Sequence, residues 1–139
     1  RSMKIYFSGS IRGGRDDVKI YHQIITYLKS FGEVLTEHIG DSSLDSSGEN
    51  NDNVSIHNKD MEFLMACDLV IAEVTSPSLG VGYEIGRALE NNKKVICIYR
   101  EIENKKISAM ILGSKDILSF EYQDLESLKK ILSTNIKIS

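Results

Sequence analysis

The sequence predicts an α/β fold: a doubly wound, five-stranded parallel sheet with helices on both faces. Segments of strand character alternate with segments of helical period along the chain. The central strands are nearly continuous in apolar residues, which is typical of parallel strands covered on both faces. The length of 139 residues predicts a single domain, expected over residues 3–139, and Arg1 and Ser2 are taken as a cloning remnant.

Composition and charge argue against several classes of protein. The 17 basic and 20 acidic residues give a net charge of −3, which is not typical of a nucleic-acid binder. We expect no membrane span and no signal peptide, because apolar runs are short and a strand starts at once. Cys67 and Cys97 lie in apolar runs, and His22, His38 and His57 lack ligand spacing. We therefore expect buried thiols, no metal, and a cytoplasmic location, or a nuclear one in a eukaryote.

The first half of the chain contains two predicted strands and two predicted helices. The apolar period places a strand at residues 4–8, a helix at 16–31, a strand at 33–37 and a helix at 54–66. A loop with glycines separates the first strand from its helix, and Gly32 stops that helix. Residues 40–53 are polar and of low complexity, which favours a long mobile loop over a lid.

The second half continues the alternation of strand and helix. Its predicted elements are a strand at 68–74, a helix at 81–91, a strand at 94–99, a weaker strand at 117–122 and a helix at 125–132. Right-handed crossovers favour a flavodoxin-like, Rossmann-like strand order. In that order a ligand crevice lies between the loops after the first and third strands, and these loops are rich in glycine and small polar residues.

The first of these loops, residues 8–15, has the composition of an anion-binding loop. It holds three glycines, two serines and two arginines just before a helix. Glycines let backbone N–H groups approach an anion, and arginine binds phosphate oxygens bidentately. The spacing matches neither a Walker A loop nor a dinucleotide fingerprint, so a compact monophosphate fits better. The alternative is a tight turn with surface arginines.

The second loop places a carboxylate near a helix start. Ser78 stands at the predicted start, and Glu84 follows within the first turns. An ionised carboxylate is stabilised there and can act as a nucleophile or a general base. Gly80, Gly82 and Gly86 each cost a helix about 1 kcal/mol relative to alanine, which favours a functional reason for them. The alternative is that Glu84 only complements the helix dipole.

Glycosidic chemistry needs a second carboxylate, and Asp60 and Glu62 are the candidates. They are two residues apart on a predicted helix, so only one of them can readily point into the crevice. The alternative is that this stretch forms a solvated, charged helix face.

Several collinear motifs resemble the nucleoside 2-deoxyribosyltransferase family. They are YFSGSIRGGR at residues 6–15, LTEH at 35–38, His57 with Asp60, AEVT at 72–75 and SLGVGYE at 78–84. The resemblance extends over about residues 4–113 and does not clearly cover residues 40–53 or the tail. It implies hydrolysis of the N-glycosidic bond of 2′-deoxynucleoside 5′-monophosphates to free base and 2-deoxyribose 5-phosphate. No cofactor and no metal is implied.

The resemblance also implies roles for individual residues. Glu84 matches the nucleophile that forms a glycosyl-enzyme intermediate. Asp60 matches a carboxylate that orients the sugar and assists proton transfer at the base, and Tyr6 matches a residue close to the sugar and the nucleophile. The matching phosphate-binding residues are Ser10, Ile11, Arg12, Gly13, Ser78 and Gly80. Ser108 and Met110 match residues that reach the neighbouring subunit's site, which implies a homodimer. Ser8 departs from the cysteine expected in animal members.

Two other functions remain open from the sequence. A deoxyribosyltransferase would pass the sugar to another base, but a nucleoside-only enzyme has no use for a 5′-phosphate site. A non-catalytic nucleotide-binding module would bind deoxynucleotides without releasing base.

Overall fold

A computed structural model of the chain describes residues 2–11, 15–35 and 52–136, in which strands and helices alternate. The strands are β1 (Met3–Gly9), β2 (Gly32–Val34), β3 (Leu69–Glu73), β4 (Lys94–Tyr99) and β5 (Ile117–Glu121). The helices are α1 (Arg15–Leu28), α2 (Asn53–Ala66), α3 (Leu79–Glu90), α4 (Ala109–Leu112) and α5 (Leu125–Asn135). The predicted α/β fold class is confirmed.

The strands form one parallel sheet of order β2-β1-β3-β4-β5, which is the predicted flavodoxin-like order. The chain passes from β1 to β2 on one side and then crosses to β3 on the other, so the winding reverses between β1 and β3. Gly9 at the end of β1 pairs with Glu73 at the end of β3. The loops that follow these two strands therefore start side by side at one edge of the sheet.

Side chains of the sheet alternate between two apolar layers. On β1, Ile5 and Phe7 pack in the layer that contains α1 and α5, whereas Tyr6 packs in the layer that contains α2 and α3. Because successive strand side chains point to opposite faces, Ser8 shares the α2–α3 face with Tyr6. The α2–α3 layer also buries Cys67 and Cys97, both free thiols, as the sequence predicts.

Two helices begin earlier than predicted because a polar residue caps each of them. The Ser78 hydroxyl accepts a hydrogen bond from the Val81 backbone N–H at 3.2 Å, so α3 begins at Leu79 and not at 81. Asp52 caps α2 in the same way, so the last two residues of the predicted loop 40–53 belong to the helix start. The rest of that loop lies outside the described residues.

Two short elements differ from the prediction. Strand β2 has three residues and ends at Val34, whereas the prediction extended to 37, a position outside the described residues. The sequence pattern does not predict α4, because its four residues are too few to display a helical period.

Candidate active site

Glu84 on α3 reaches the sheet at the switch point between β1 and β3. The Tyr6 hydroxyl donates a hydrogen bond to Oε2 of Glu84, and the Ser8 hydroxyl donates one to Oε1 at 2.6 Å. Tyr6 and Ser8 are buried, whereas Glu84 is partly exposed. Two strand hydroxyls therefore hold one partly exposed carboxylate in a fixed orientation.

Ser8 is absent from the site residues that the sequence predicts, although it contacts Glu84 directly. The period of a strand carries the missing signal, because Ser8 follows Tyr6 by two residues and shares its face. The position at which the chain departs from the family resemblance is thus a direct partner of Glu84.

Tyr6 is a neutral hydrogen-bond donor in this site. Burial, and then the negative charge of Glu84, raises the pKa of Tyr6 far above its usual range. Asp60, when ionised, adds to this effect, so its carboxylate lies within electrostatic range of the Tyr6 hydroxyl. Tyr6 therefore stays protonated and donates to Glu84 across the physiological pH range.

Asp60 is the less exposed of the two candidate carboxylates on α2. It is partly buried and acts on Tyr6, whereas Glu62 is exposed. This difference in exposure is consistent with the expectation that only one of Asp60 and Glu62 points into the crevice. Tyr6, Asp60 and Glu84 thus come together from β1, α2 and α3.

The stabilisation of Glu84 differs from the one that the sequence suggests. Because α3 begins at Leu79, Glu84 lies in the second turn of the helix. The effect of a helix dipole falls off within the first turn. The hydroxyls of Tyr6 and Ser8 are therefore the main stabilising partners shown for the carboxylate, ahead of the helix start.

Gly82 and Gly86 lie on a different side of α3 from Glu84. A Cβ atom added at either glycine would meet nothing within 4 Å. Both glycines line a groove of about 860 Å³ between α3 and the segment 106–114. Leu79, which is 96% exposed, and Met110, which is 82% exposed, also line it. These two glycines therefore open an apolar groove instead of surrounding Glu84.

The predicted phosphate-binding residues lie on the two loops at the switch point, as far as the structure describes them. After β1, Ser10 is buried and Ile11 is exposed. After β3, Ser78 caps α3 and Gly80 lies in its first turn, with the Ser78 hydroxyl 3.8 Å from the position of an added Cβ. Arg12 and Gly13 lie outside the described residues.

Gly9, between β1 and the first loop, packs directly on an aromatic ring. An added Cβ at this position would lie 2.9 Å from Cζ of Tyr21. A side chain at residue 9 would therefore push the Tyr21 ring out of the α1–α5 layer. This close approach fixes the path of the chain where it enters the first loop.

Ser108 and Met110 lie at α4 and line the groove that also contains Ser78. The Ser108 hydroxyl accepts a hydrogen bond from the Met110 backbone N–H at 3.1 Å and caps α4. The groove therefore connects the predicted phosphate loop with the two residues expected to reach a neighbouring subunit.

A cluster of metal ligands and a membrane-spanning helix are both absent from the described ranges. Within them, no group of three or more His, Cys, Asp or Glu side chains is placed to hold a metal ion. No helix in these ranges is long and apolar enough to cross a bilayer. Burial raises the pKa of Cys67 to about 11 and that of Cys97 to about 12, so both thiols stay protonated.

The fold and the site define a class of α/β enzyme: carboxylates beside a buried tyrosine, at the carboxyl edge of a parallel sheet, are suited to cleaving a glycosidic bond. The family described as nucleoside 2-deoxyribosyltransferase matches residues 5–125. The 5-hydroxymethyl-dUMP N-hydrolase of Tetraodon nigroviridis is 49% identical over 124 residues, covering 88% of this chain and 87% of that protein. The human protein of the same name is 47% identical over 124 residues, covering 88% and 71%.

A solved structure agrees at the level of the fold. The Clostridium botulinum CMP N-glycosidase BcmB superimposes with a TM-score of 0.68 at 21% identity, covering 96% of this chain and 99% of that one. The chain belongs to the nucleoside 2-deoxyribosyltransferase family. Within it, the chain is an enzyme of the N-glycosidase type, like its N-hydrolase relatives. The family and the enzyme class predicted from the sequence are confirmed.

Proposed function

We propose that the protein hydrolyses the N-glycosidic bond of 2′-deoxynucleoside 5′-monophosphates and releases a free base and 2-deoxyribose 5-phosphate. The observation that carries the proposal is the placement of Glu84, whose carboxylate accepts hydrogen bonds from the hydroxyls of Tyr6 and Ser8. The names of the relatives support it, since they are N-hydrolases of 5-hydroxymethyl-dUMP, a nucleotide of this class.

In the first step, a carboxylate oxygen of Glu84 attacks C1′ of the sugar as the bond from C1′ to the base nitrogen breaks. The electron pair of that bond leaves with the base, which receives a proton from Asp60 in its protonated form. The transition state is oxocarbenium-like, and the negative charge of Glu84 stabilises it. The product of this step is a glycosyl ester of Glu84.

In the second step, water attacks C1′ and the ester bond breaks, returning its electron pair to the Glu84 carboxylate. Asp60, now ionised, takes the proton of the water, so both carboxyl groups regain their starting states. Tyr6 and Ser8 keep Glu84 in one orientation by donating to it. The net reaction consumes one water and needs no other reactant.

The 5′-phosphate anchors the substrate at a distance from the reacting bond. Its binding energy holds C1′ against Glu84. Binding energy from a group remote from the reacting bond accelerates a reaction when it orients the reacting atoms in this way. The residues assigned to it are Ser10, Ile11, Arg12, Gly13, Ser78 and Gly80. Backbone N–H groups of the two loops, a guanidinium and hydroxyls form a suitable anion site.

A homodimer completes the site in this proposal, with Ser108 and Met110 reaching the neighbouring subunit. The groove that these residues share with Ser78 and the open faces of Gly82 and Gly86 supports it. An apolar groove lined by glycines lets another element approach closely. The exposed side chains of Leu79 and Met110 would be covered in such a dimer.

The proposal is tested by a base-release assay. The protein is incubated with 5-hydroxymethyl-dUMP, dGMP, dCMP and the matching ribonucleotides, and the free base is measured by chromatography. Deoxynucleotides are expected to release base, and Glu84→Gln is expected to abolish release while the circular dichroism spectrum stays unchanged. Full activity of Glu84→Gln would remove Glu84 from its role.

Two further assays separate the alternatives. A second free base added to the reaction becomes part of a new nucleotide if the enzyme is chiefly a transferase. Tight binding of deoxynucleotides with no release of base would identify a binding module. We expect hydrolysis as the main reaction in both assays.

A further inference from the structure

A second polar cluster lies at the same edge of the sheet and takes no part in the proposed chemistry. Its centre is Glu73, the last residue of β3, which is 0% exposed. The Glu73 carboxylate accepts hydrogen bonds from the Thr75 N–H at 2.8 Å and the Thr75 hydroxyl at 2.9 Å. It also accepts from the Tyr122 hydroxyl and from Nε of Arg100 at 3.4 Å. Because its carboxylate accepts four hydrogen bonds, the Glu73 side chain is held in a fixed position and anchors the cluster.

Arg100, directly after β4, connects this anchor with helix α1. Its Nη2 donates to Oδ1 of Asp17 at 2.8 Å, and its backbone N–H donates to the Thr75 hydroxyl at 2.9 Å. Burial alone would lower the pKa of Arg100, but the hydrogen bond to Asp17 and nearby negative charge raise it overall. Arg100 therefore remains charged and holds Asp17 in a fixed orientation.

Asp17 makes one more contact, and that contact crosses the switch point. The Ser76 hydroxyl donates to Oδ2 of Asp17 at 3.0 Å. Asp17 lies in the first turn of α1, immediately after the loop that follows β1. Ser76 lies in the loop that follows β3, two residues before Ser78. One buried carboxylate thus links the start of α1 to the loop that follows β3.

We propose that Asp17 is a positioning residue that holds the loop after β3 against the start of α1 through Ser76 and so determines the preference for a 5′-phosphate. The inference rests on the proposed function, which assigns the phosphate to these loops. Arg100 occupies one carboxylate oxygen of Asp17 and thereby directs the other towards Ser76. Asp17 acts through Ser76 and needs no contact with the substrate.

The competing explanation is that Asp17 only stabilises the start of α1, as acidic residues in a first turn do. That role predicts a lower melting temperature for variants of Asp17 and no effect of Ser76 on phosphate preference. The positioning role predicts that loss of the Ser76 hydroxyl weakens binding of nucleotides and spares nucleosides.

The test measures binding by calorimetry in a Glu84→Gln background, which removes turnover. Ser76→Ala is expected to weaken binding of dGMP about fivefold, the worth of one hydrogen bond, and to leave binding of deoxyguanosine unchanged. Ser76→Thr keeps a hydroxyl and is expected to restore dGMP affinity. Ser133→Ala, on the exposed side of α5, removes the same atom far from the cluster and serves as the control.

A double-mutant cycle separates positioning from direct contact. If Ser76 acts through its link to Asp17, Ser76→Ala has little further effect once Asp17→Ala is present. An undiminished effect in that background would show that Ser76 touches the phosphate by itself and would overturn the inference. Should Asp17→Ala fail to fold, Asp17→Asn keeps the volume of the side chain and takes its place in the cycle.

The outcomes for the two proposals are distinguishable. A wild-type protein that binds dGMP but releases no base contradicts the hydrolase and leaves the loop inference intact. Equal affinities of wild type and Ser76→Ala, or equal losses for dGMP and deoxyguanosine, overturn the loop inference and leave the hydrolase intact.

Discussion

The two hydroxyls that donate hydrogen bonds to Glu84 can be removed by substitution without disturbing the packing around them. Tyr6 fills part of the α2–α3 layer with its ring, and a phenylalanine would keep that volume. Ser8 is buried and contributes little beyond its hydroxyl. At the scale of single residues, the donors to the carboxylate are therefore separable from the core.

Tyr6→Phe is expected to lower kcat for a deoxynucleotide about tenfold, because a hydrogen bond to a charged group contributes about 1.5–3 kcal/mol. The acidic limb of the kcat profile is expected to move to higher pH, since the ionised carboxylate loses a donor. Steady-state kinetics between pH 4.5 and 9 measure both effects. An unchanged profile would show that the phenol has no part in holding Glu84.

Ser8→Ala is expected to move the acidic limb in the same direction by a smaller amount. Ser119→Ala is its matched control, because Ser119 is also a strand serine and its hydroxyl is buried with no hydrogen-bond partner within the described ranges. Kinetics of Ser119→Ala should equal those of the wild type. A shift of similar size in both variants would point to a general effect of strand packing.

At the scale of elements, the spacing of α2 and α3 matters because each carries one of the two proposed carboxylates. One turn before Asp60, Nε2 of His57 lies 2.8 Å from the Tyr83 hydroxyl. Arg87 Nη1 donates to the same hydroxyl at 2.5 Å. This contact links the two helices at the surface, next to Glu84 in the sequence.

Tyr83→Phe is expected to lower kcat about threefold, since it removes one hydrogen bond that holds α2 against α3. The KM for deoxynucleotides should stay within about twofold, because the Tyr83 hydroxyl contacts α2 and not the start of α3, where Ser78 and Gly80 lie. Tyr27→Phe is the control: its hydroxyl donates to the Lys129 carbonyl at 3.2 Å and links α1 to α5 instead. Equal kcat values for the two variants would contradict the role of the α2–α3 contact.

The local pattern of the sequence predicts elements better than contacts between them. It gives β4 with its observed bounds, because a run of buried apolar residues is visible without any knowledge of neighbours. It misses the start of α3, since Leu79 is exposed and carries no periodic signal. It also misses the contact between Asp17 and Ser76, which are 59 residues apart and meet only because β1 and β3 pair.

At the scale of the whole molecule, the groove beside α3 leaves apolar side chains in contact with water. Met110 and Leu79 are the most exposed of them. A dimer that covers these side chains would bring a second subunit to the loop of Ser78. Association and activity should therefore be lost together.

Met110→Asp is expected to yield a monomer in light scattering and to lower base release by at least tenfold. A charge placed in an apolar interface loses its hydration without gaining a partner. Leu118→Asp, on β5 and outside the groove, introduces the same charge at a half-exposed position and should leave both properties unchanged. A monomeric wild type with full activity would contradict the dimer.

Alkaline pH is expected to destabilise the fold, because Cys97 has a pKa of about 12 in the folded protein against 9.0 for an ordinary thiol. Between these values the unfolded chain loses a proton that the folded chain keeps, so stability falls as pH rises above about 9. Each such group contributes a slope of about 1.4 kcal/mol per pH unit. Urea unfolding at pH 7.5–10.5 measures the slope.

Cys97→Ala should reduce this slope by about half, because Cys67, whose pKa is raised to about 11, contributes in the same way. The buried phenols of Tyr6, Tyr21 and Tyr122 also have raised pKa values and should keep some decline above pH 10. A slope unchanged by Cys97→Ala would show that this thiol is equally protonated in both states.

The groove beside α3 also suggests a route to inhibition that avoids nucleotide mimicry. A compact apolar compound seated against Gly82 and Gly86 would occupy the place that we propose for a second subunit. Such a compound would compete with association and not with substrate, so raising the nucleotide concentration would not rescue turnover. Its potency would instead decline as the enzyme concentration increases.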